Sequence, residues 1–300
     1  SNHANSAGAI YLTANKSPYN TVISNSTFTN NYAGTVGAIA VEKISSLTIN
    51  NTNFTGNYAT NSTSSGALWT SVNTTFNITE GFNMVMSGNY AGSNDSKVYR
   101  GIIVDSGASL TFAMKNACSV TMDDIIKGNS AFNMTISADS TESKFYMNNL
   151  IQNANISLSG ARLVLASYDY TKYLTNRDNY NNYADYQVIS PLVTPTAENI
   201  DARTSNILKD AILNVNKGEI ITQDNVITNY VIGMLTSNAS AKYSIDLDVI
   251  NRVSDTFSVG AGSSGTIQIV DIGDISSVVS KIDGSIIIKI LNRTDETTDE

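Results

Sequence analysis

Leu47-Thr-Ile49-Asn-Asn51-Thr-Asn53-Phe54-Thr-Gly56-Asn57-Tyr58-Ala59, then a polar loop and Gly66-Ala67-Leu68-Trp69, is the stretch that decides the fold, because the chain repeats it. A near copy lies upstream: Thr21-Val-Ile23-Ser-Asn25-Ser-Thr27-Phe28-Thr-Asn30-Asn31-Tyr32-Ala33, a short loop, then Gly37-Ala38-Ile39-Ala40-Val41. The chain opens with the tail of another copy, Gly8-Ala9-Ile10-Tyr11-Leu12. Gly8, Gly37 and Gly66 recur every 29 residues, whereas Ile23/Ile49, Phe28/Phe54, Asn31/Asn57 and Tyr32/Tyr58 are 26 apart. Two offsets in one repeat arise when strand motifs hold register and the loops between them differ in length. A weaker third copy, Met86-Ser-Gly88-Asn89-Tyr90-Ala91, puts Met in the Phe slot. A period of this size is the mark of stacked supersecondary units, each unable to bury its apolar face alone.

The repeat assigns faces. Successive strand residues point to opposite sides, so Ile10/Leu12, Ile39/Val41 and Leu68/Thr70 form the inward column. Ala9/Tyr11, Ala38/Ala40 and Ala67/Trp69, whose sizes vary freely, fall outside. Phe28, Phe54 and Met86 are expected in one core column. Asn31, Asn57 and Asn89 are expected in another at a corner, where Asn tolerates a left-handed backbone and its amide bonds to the copies on either side. The glycine before each strand permits a sharp turn.

The Gly-Ala-Ile tetrads (Ala7–Ile10, Val36–Ile39, Ser65–Leu68) and the Phe-x-x-Asn tetrads (Phe28–Asn31, Phe54–Asn57) resemble the repeats of the chlamydial polymorphic outer-membrane proteins. The family tetrad usually carries two glycines where this chain has one. The resemblance covers the first third of the chain. It implies an all-β, right-handed parallel β-helix of the pectin-lyase-like kind, the passenger of an autotransporter. It also implies an adhesin at the cell surface, anchored to the outer membrane through parts outside this sequence. Its partner would be a cell-surface protein or glycan met through loops on a rigid rod.

Composition suits that class. Only 15% of residues are charged, the net charge is −8, and there are 3 Pro and 1 Cys. The acidic balance and the lack of basic stripes argue against nucleic acid. No apolar run approaches the roughly 20 residues needed to span a bilayer, and no basic-then-apolar leader opens the chain. Because the chain starts within a repeat, it reads as a piece of something longer and, as a rod, as a monomer. With about 29 residues per turn and roughly 4.8 Å between stacked strands, ten turns would extend about 50 Å.

In order, residues 1–115 carry the regular repeats, with Gly101–Val104 and Gly107–Phe112 continuing them. Residues 116–167 keep only the strand rhythm, as in Ser119–Met122, Phe132–Ile136, Phe145–Met147, Ile156–Leu158 and Leu163–Leu165. Cys118 reads as a small core residue. Across 168–210 the alternation breaks. Tyr168, Tyr170, Tyr173, Tyr180, Tyr183 and Tyr186 stand among Asp, Asn, Lys and Arg, followed by Pro191 and Pro195. A short helix capped by Thr196, with Ile200, Ile207 and Leu208 on its apolar face, is expected next. The tyrosines form either a solvated cover over the core or a binding loop, since Tyr offers large, rigid contact area. Residues 211–291 return to strands, ending in Ile286–Leu291, and 292–300 form an acidic tail.

The residues that could carry chemistry are few. The single His3 near the N-terminus argues against a histidine base or metal cluster, so no metal and no cofactor is expected. Asp246 and Asp248 alternate with Ile245, Leu247 and Val249, which places both carboxylates outward, roughly 6.5–7 Å apart. That spacing overlaps an inverting glycosidase pair, and it is also what outward strand positions give by default. Of the neighbours Asp123 and Asp124, one is expected to cap a turn. The sequons at Asn25, Asn53, Asn77 and Asn133 follow from an Asn/Ser/Thr-rich composition. Three readings stand: a surface adhesin or display stalk without enzymatic activity, a carbohydrate-active β-helix enzyme, and a structural spacer.

Overall fold

The computed structural model describes residues 1–14, 19–93, 97–166, 204–248, 250–275 and 290–293. Among these residues every regular element is a β-strand. Ser46–Asn50 shows why. Its sequence Ser-Leu-Thr-Ile-Asn buries Leu47 and Ile49 and leaves the hydroxyl and amide residues partly open, the alternation that a strand with one buried face requires. It pairs in parallel with Asn20–Ser24 before it and Thr74–Ile78 after it, in the register Ile23↔Ile49↔Phe76. Each of these neighbours is a copy of the same motif position, so the ladder grows by one repeat per strand.

Two further ladders run alongside. The strands after the glycines, Ile10–Leu12, Ile39–Val41, Leu68–Thr70 and Arg100–Val104, align Ile10↔Ile39↔Leu68↔Ile102. The third ladder aligns Phe28↔Phe54↔Met86↔Met122↔Met147. Phe28 and Phe54 stack at 5.1 Å between ring centroids, and Phe76 and Phe112 do the same at 4.8 Å in the neighbouring ladder. A short corner sheet sets Tyr32, Tyr58 and Tyr90 in a column. From residue 125 the strands lengthen: Ile125–Ala138, Ile151–Leu165 and Thr204–Ile221 each bend through shifts of register and serve more than one ladder. Val253–Ser254 breaks the parallel rule by pairing antiparallel with the end of Ala241–Asp248.

The asparagine column is continuous. Asn57 Oδ1 accepts from the backbone N (3.0 Å) and Nδ2 (2.9 Å) of Asn31. Asn57 in turn donates through the same two groups to Asn89 Oδ1, and its Nδ2 also reaches the Phe28 carbonyl. The left-handed backbone is not at these asparagines. It falls one residue earlier, at Asn30 (φ 53°), Gly56 (φ 65°) and Gly88 (φ 69°). The turn residue frees the following Asn to point inward.

The repeat glycines also differ from expectation, because none of Gly8, Gly37 and Gly66 has a positive φ. What they permit is contact between stacked backbones. A Cβ on Gly8 would lie 2.0 Å from the Gly37 carbonyl, and one on Gly37 2.0 Å from that of Gly66. The same tightness corrects three face assignments, since Ala38 and Ala67, expected outside, are buried in the main core, and Ala9, expected outside too, packs against it. They precede the pleated part of each strand, where the alternation rule does not yet hold. The short helix is corrected as well. Ile207 and Leu208 are buried within the strand Thr204–Ile221, where pairing to neighbouring strands outweighs a local helical pattern; Thr196 and Ile200 lie outside the described residues.

Two outcomes follow. Phe54→Ala empties a fully buried site between two stacked neighbours and should cost about 3–5 kcal/mol in denaturant unfolding. Gly37→Ala forces two backbones apart and should cost about 1–3 kcal/mol or more. Wild-type stability in either variant would refute the assigned register.

Candidate functional site

The outward positions of the glycine-led strands align as Tyr11↔Ala40↔Trp69↔Ile103. A small residue between two large aromatics leaves a gap, and a cleft of about 410 Å³ opens there. Ala40 and Val36 contribute a buried apolar floor, on which Trp69 packs while staying partly exposed. Tyr11 is 51% exposed. Its hydroxyl donates to Glu42 Oε1, a contact that also holds the phenol pKa above its usual value. Ser6, Thr35, Asn61, Thr63, Ser64 and Asn129 complete the lining with hydroxyls and amides.

The wall at residues 61–64 is held from beneath. Asn61 Oδ1 accepts from the backbone N (3.0 Å) and hydroxyl (2.8 Å) of Thr63, closing an Asx turn. Arg100 Nη1 donates to the carbonyls of Ser64 (2.8 Å) and Ser62 (3.3 Å). Burial lowers the Arg100 pKa. These contacts turn Arg100 Nη1 toward the protein, and the lining residues include one carboxylate, Glu42, and no Lys or Arg. One carboxylate does not make the acid–base pair that glycoside hydrolysis uses. The cleft is mostly neutral, with an aromatic edge.

The sequence candidates are distributed elsewhere. Tyr168, Tyr170, Tyr173, Tyr180, Tyr183 and Tyr186 lie outside the described residues. The expected outward pair, Asp246 and Asp248, is buried at 1% and 4% exposure. Asp246 Oδ2 accepts from the backbone amides of Asp224, Asn225 and Val226. Asp248 accepts from the amides of Ile250 and Asn251 and from the Asn251 side chain. Asp246 pins chain from residues 224–226 over the strand, whereas Asp248 caps the turn that follows its own strand. Cys118 is buried, with its Sγ 3.0 Å from the Lys115 carbonyl, and burial raises the thiol pKa. No group of three His, Cys, Asp or Glu side chains among the described residues is arranged to hold a metal.

Two further acids are buried: Asp124, which the sequence offered only as one of two candidates to cap a turn, and Asp255. Asp124 closes the asparagine column: its Oδ2 accepts from Asn89 N (3.0 Å) and Nδ2 (2.7 Å), while Oδ1 is buried without a hydrogen-bond partner. Loss of hydration pushes its pKa up to about 7, against the pull of those two donors and with a smaller push from Asp123. Asp255 accepts from Thr222 Oγ1 (2.7 Å) and from the amides of Asp246 and Thr228 (both 2.9 Å). Burial raises its pKa to about 8.

No family model matches this chain, and neither a curated protein nor a solved structure shows significant similarity to it.

The buried acids set a pH dependence. The folded protein holds protons on Asp124 and Asp255 up to about pH 7 and 8, whereas the unfolded chain releases them near 3.8, the ordinary value for an aspartate. The folded state therefore binds more protons in that window, and stability is fullest below about pH 4 and declines as pH rises through 7–8. Thermal melts from pH 5 to 8.5 should show Tm falling with pH. Asp124→Asn, which supplies the missing amide, should flatten the slope. A Tm independent of pH in the wild type would contradict the assignment.

Proposed function

We propose that the chain is a right-handed parallel β-helix, a passenger segment of an exported, autotransporter-like bacterial protein, and that it works at the cell surface as an adhesin or display stalk. The observation that carries the reading is like-on-like stacking through successive repeats: Asn on Asn, Phe on Phe and Tyr on Tyr, each in parallel register. A ladder of this kind resists bending and slippage, the properties required of a stalk that holds surfaces away from a cell. The hand is the one that connections between parallel strands adopt in nearly all proteins. The partner in this reading is a protein or glycan on another cell.

Between this reading and a carbohydrate-active enzyme, the engagement of Asp246 and Asp248 with backbone amides favours the adhesin. The test has two arms. Beads carrying the chain should adhere to cells or to immobilised glycans. The same preparation should leave neutral and acidic polysaccharides undegraded, with or without Ca²⁺. Depolymerisation that disappears in Glu42→Gln would replace the adhesin reading with the enzymatic one.

A further inference from the structure

We propose that the cleft between Tyr11 and Trp69 binds a neutral pyranose, one or two rings of a glycan, stacked against the aromatic edge and hydrogen-bonded to Glu42 and Asn61. The proposal deepens the adhesin reading and depends on it for the site's biological role, though not for its chemistry.

The ligand class follows from the lining. A pyranose ring presents faces of C–H bonds with slight positive charge, bordered by hydroxyls that both donate and accept. An aromatic face carries the complementary negative charge and sheds water readily. Tyr11 and Trp69 stand on strands two ladder steps apart, roughly 10 Å, with Ala40 giving depth between them. Glu42 Oε1 is taken by the Tyr11 hydroxyl, which fixes the ring; no hydrogen bond engages Oε2 among the described residues, so it is left to accept. Asn61 uses its Oδ1 on Thr63, which leaves its Nδ2 to donate. An acceptor and a donor lining one cleft with two aromatic rings match a hydroxylated ring.

Other occupants fit less well. The lining has no Lys or Arg and one carboxylate, which opposes sulfated, phosphorylated or uronic-acid ligands. A peptide adding as a strand would use the free edge of Ile10–Leu12, at the end of the ladder, and not the gap at Ala40, since Ile39–Val41 is already paired on both sides. The volume of about 410 Å³ lies at the small end of ligand-binding clefts. Trp69 rests on Ala7, Val36 and Ala40, yet keeps part of its ring open beside the gap. The wall opposite is already ordered by Arg100 and the Asx turn, so binding costs little ordering.

Trp69 is the single tryptophan of the chain, so its fluorescence reports the site without a label. The full chain is titrated with cellobiose, lactose and chitobiose, and with the glucuronate-containing disaccharide of hyaluronan as the anionic control. Saturable fluorescence change with at least one neutral sugar, in roughly the millimolar range, is the expected result. Tyr11→Ala should weaken it about tenfold, the loss of one aromatic contact, and Glu42→Gln should weaken it by a smaller factor. Tyr11 is half exposed, so its variant should keep the wild-type melting curve, which is measured alongside. No saturable change with any neutral sugar, unchanged affinity in Tyr11→Ala, or equal binding of the anionic disaccharide would each overturn the proposal. Cell adhesion by beads that bind no sugar would overturn the cleft alone. Sugar binding without adhesion would overturn the adhesin reading and leave the cleft standing.

Discussion

The buried amide ladder Asn31–Asn57–Asn89 is the constraint on which the regular part of the structure depends. Each amide oxygen receives two hydrogens from the preceding copy, and each amide nitrogen gives one to the following copy. A buried amide left unpaired costs about 1–3 kcal/mol, so slipping one strand by a residue would penalise the amides on both sides of the fault. Hydrophobic columns alone would tolerate more error, because Phe, Met and Leu can exchange places at modest cost. The ladder therefore fixes register, and the Phe28–Phe54–Met86 column adds burial to a register already set.

The way the ladder ends is also physical. Asp124 takes the next place with an oxygen where the preceding copies have an amide nitrogen, and that oxygen has no partner. Burial of that oxygen away from water disfavours the charged form, which is why the acid's affinity for protons is raised. Gly101 makes room, since a Cβ there would meet Met86 Sδ at 2.8 Å and Asp124 Cβ at 3.0 Å. Beyond this point the clear repeat fades and the strands lengthen and bend. Without the amide column, register is carried by long pairings such as Ile151–Leu165 with Thr204–Ile221.

Register on the inside has a consequence outside. Because Tyr11, Ala40 and Trp69 cannot slide past one another, differences in their sizes become a fixed relief on the surface. The inner column must match from copy to copy, whereas the outer column is free to vary. A cleft built this way is held open by the same backbone contacts that require glycine at positions 8, 37 and 66.

The sequence by itself determined the repeat, the inward Ile/Val/Leu column, the Phe–Phe–Met stack and the asparagine column, because each of these depends on identity recurring at a fixed spacing. It also carried the outward series Tyr11, Ala40, Trp69, although nothing local marks that series as a cleft. Tertiary structure alone decided what covers an outward face. Alternation put Asp246 on the side away from Ile245, but it could not show that residues 224–226 would fold over it. It decided, too, that the left-handed residue is the one before each ladder asparagine, and that the glycines serve backbone contact. Periodicity reports which side of a strand a residue takes. Burial, hydrogen-bond partners and pKa depend on chain that arrives from elsewhere in the sequence, and only the folded arrangement brings it there.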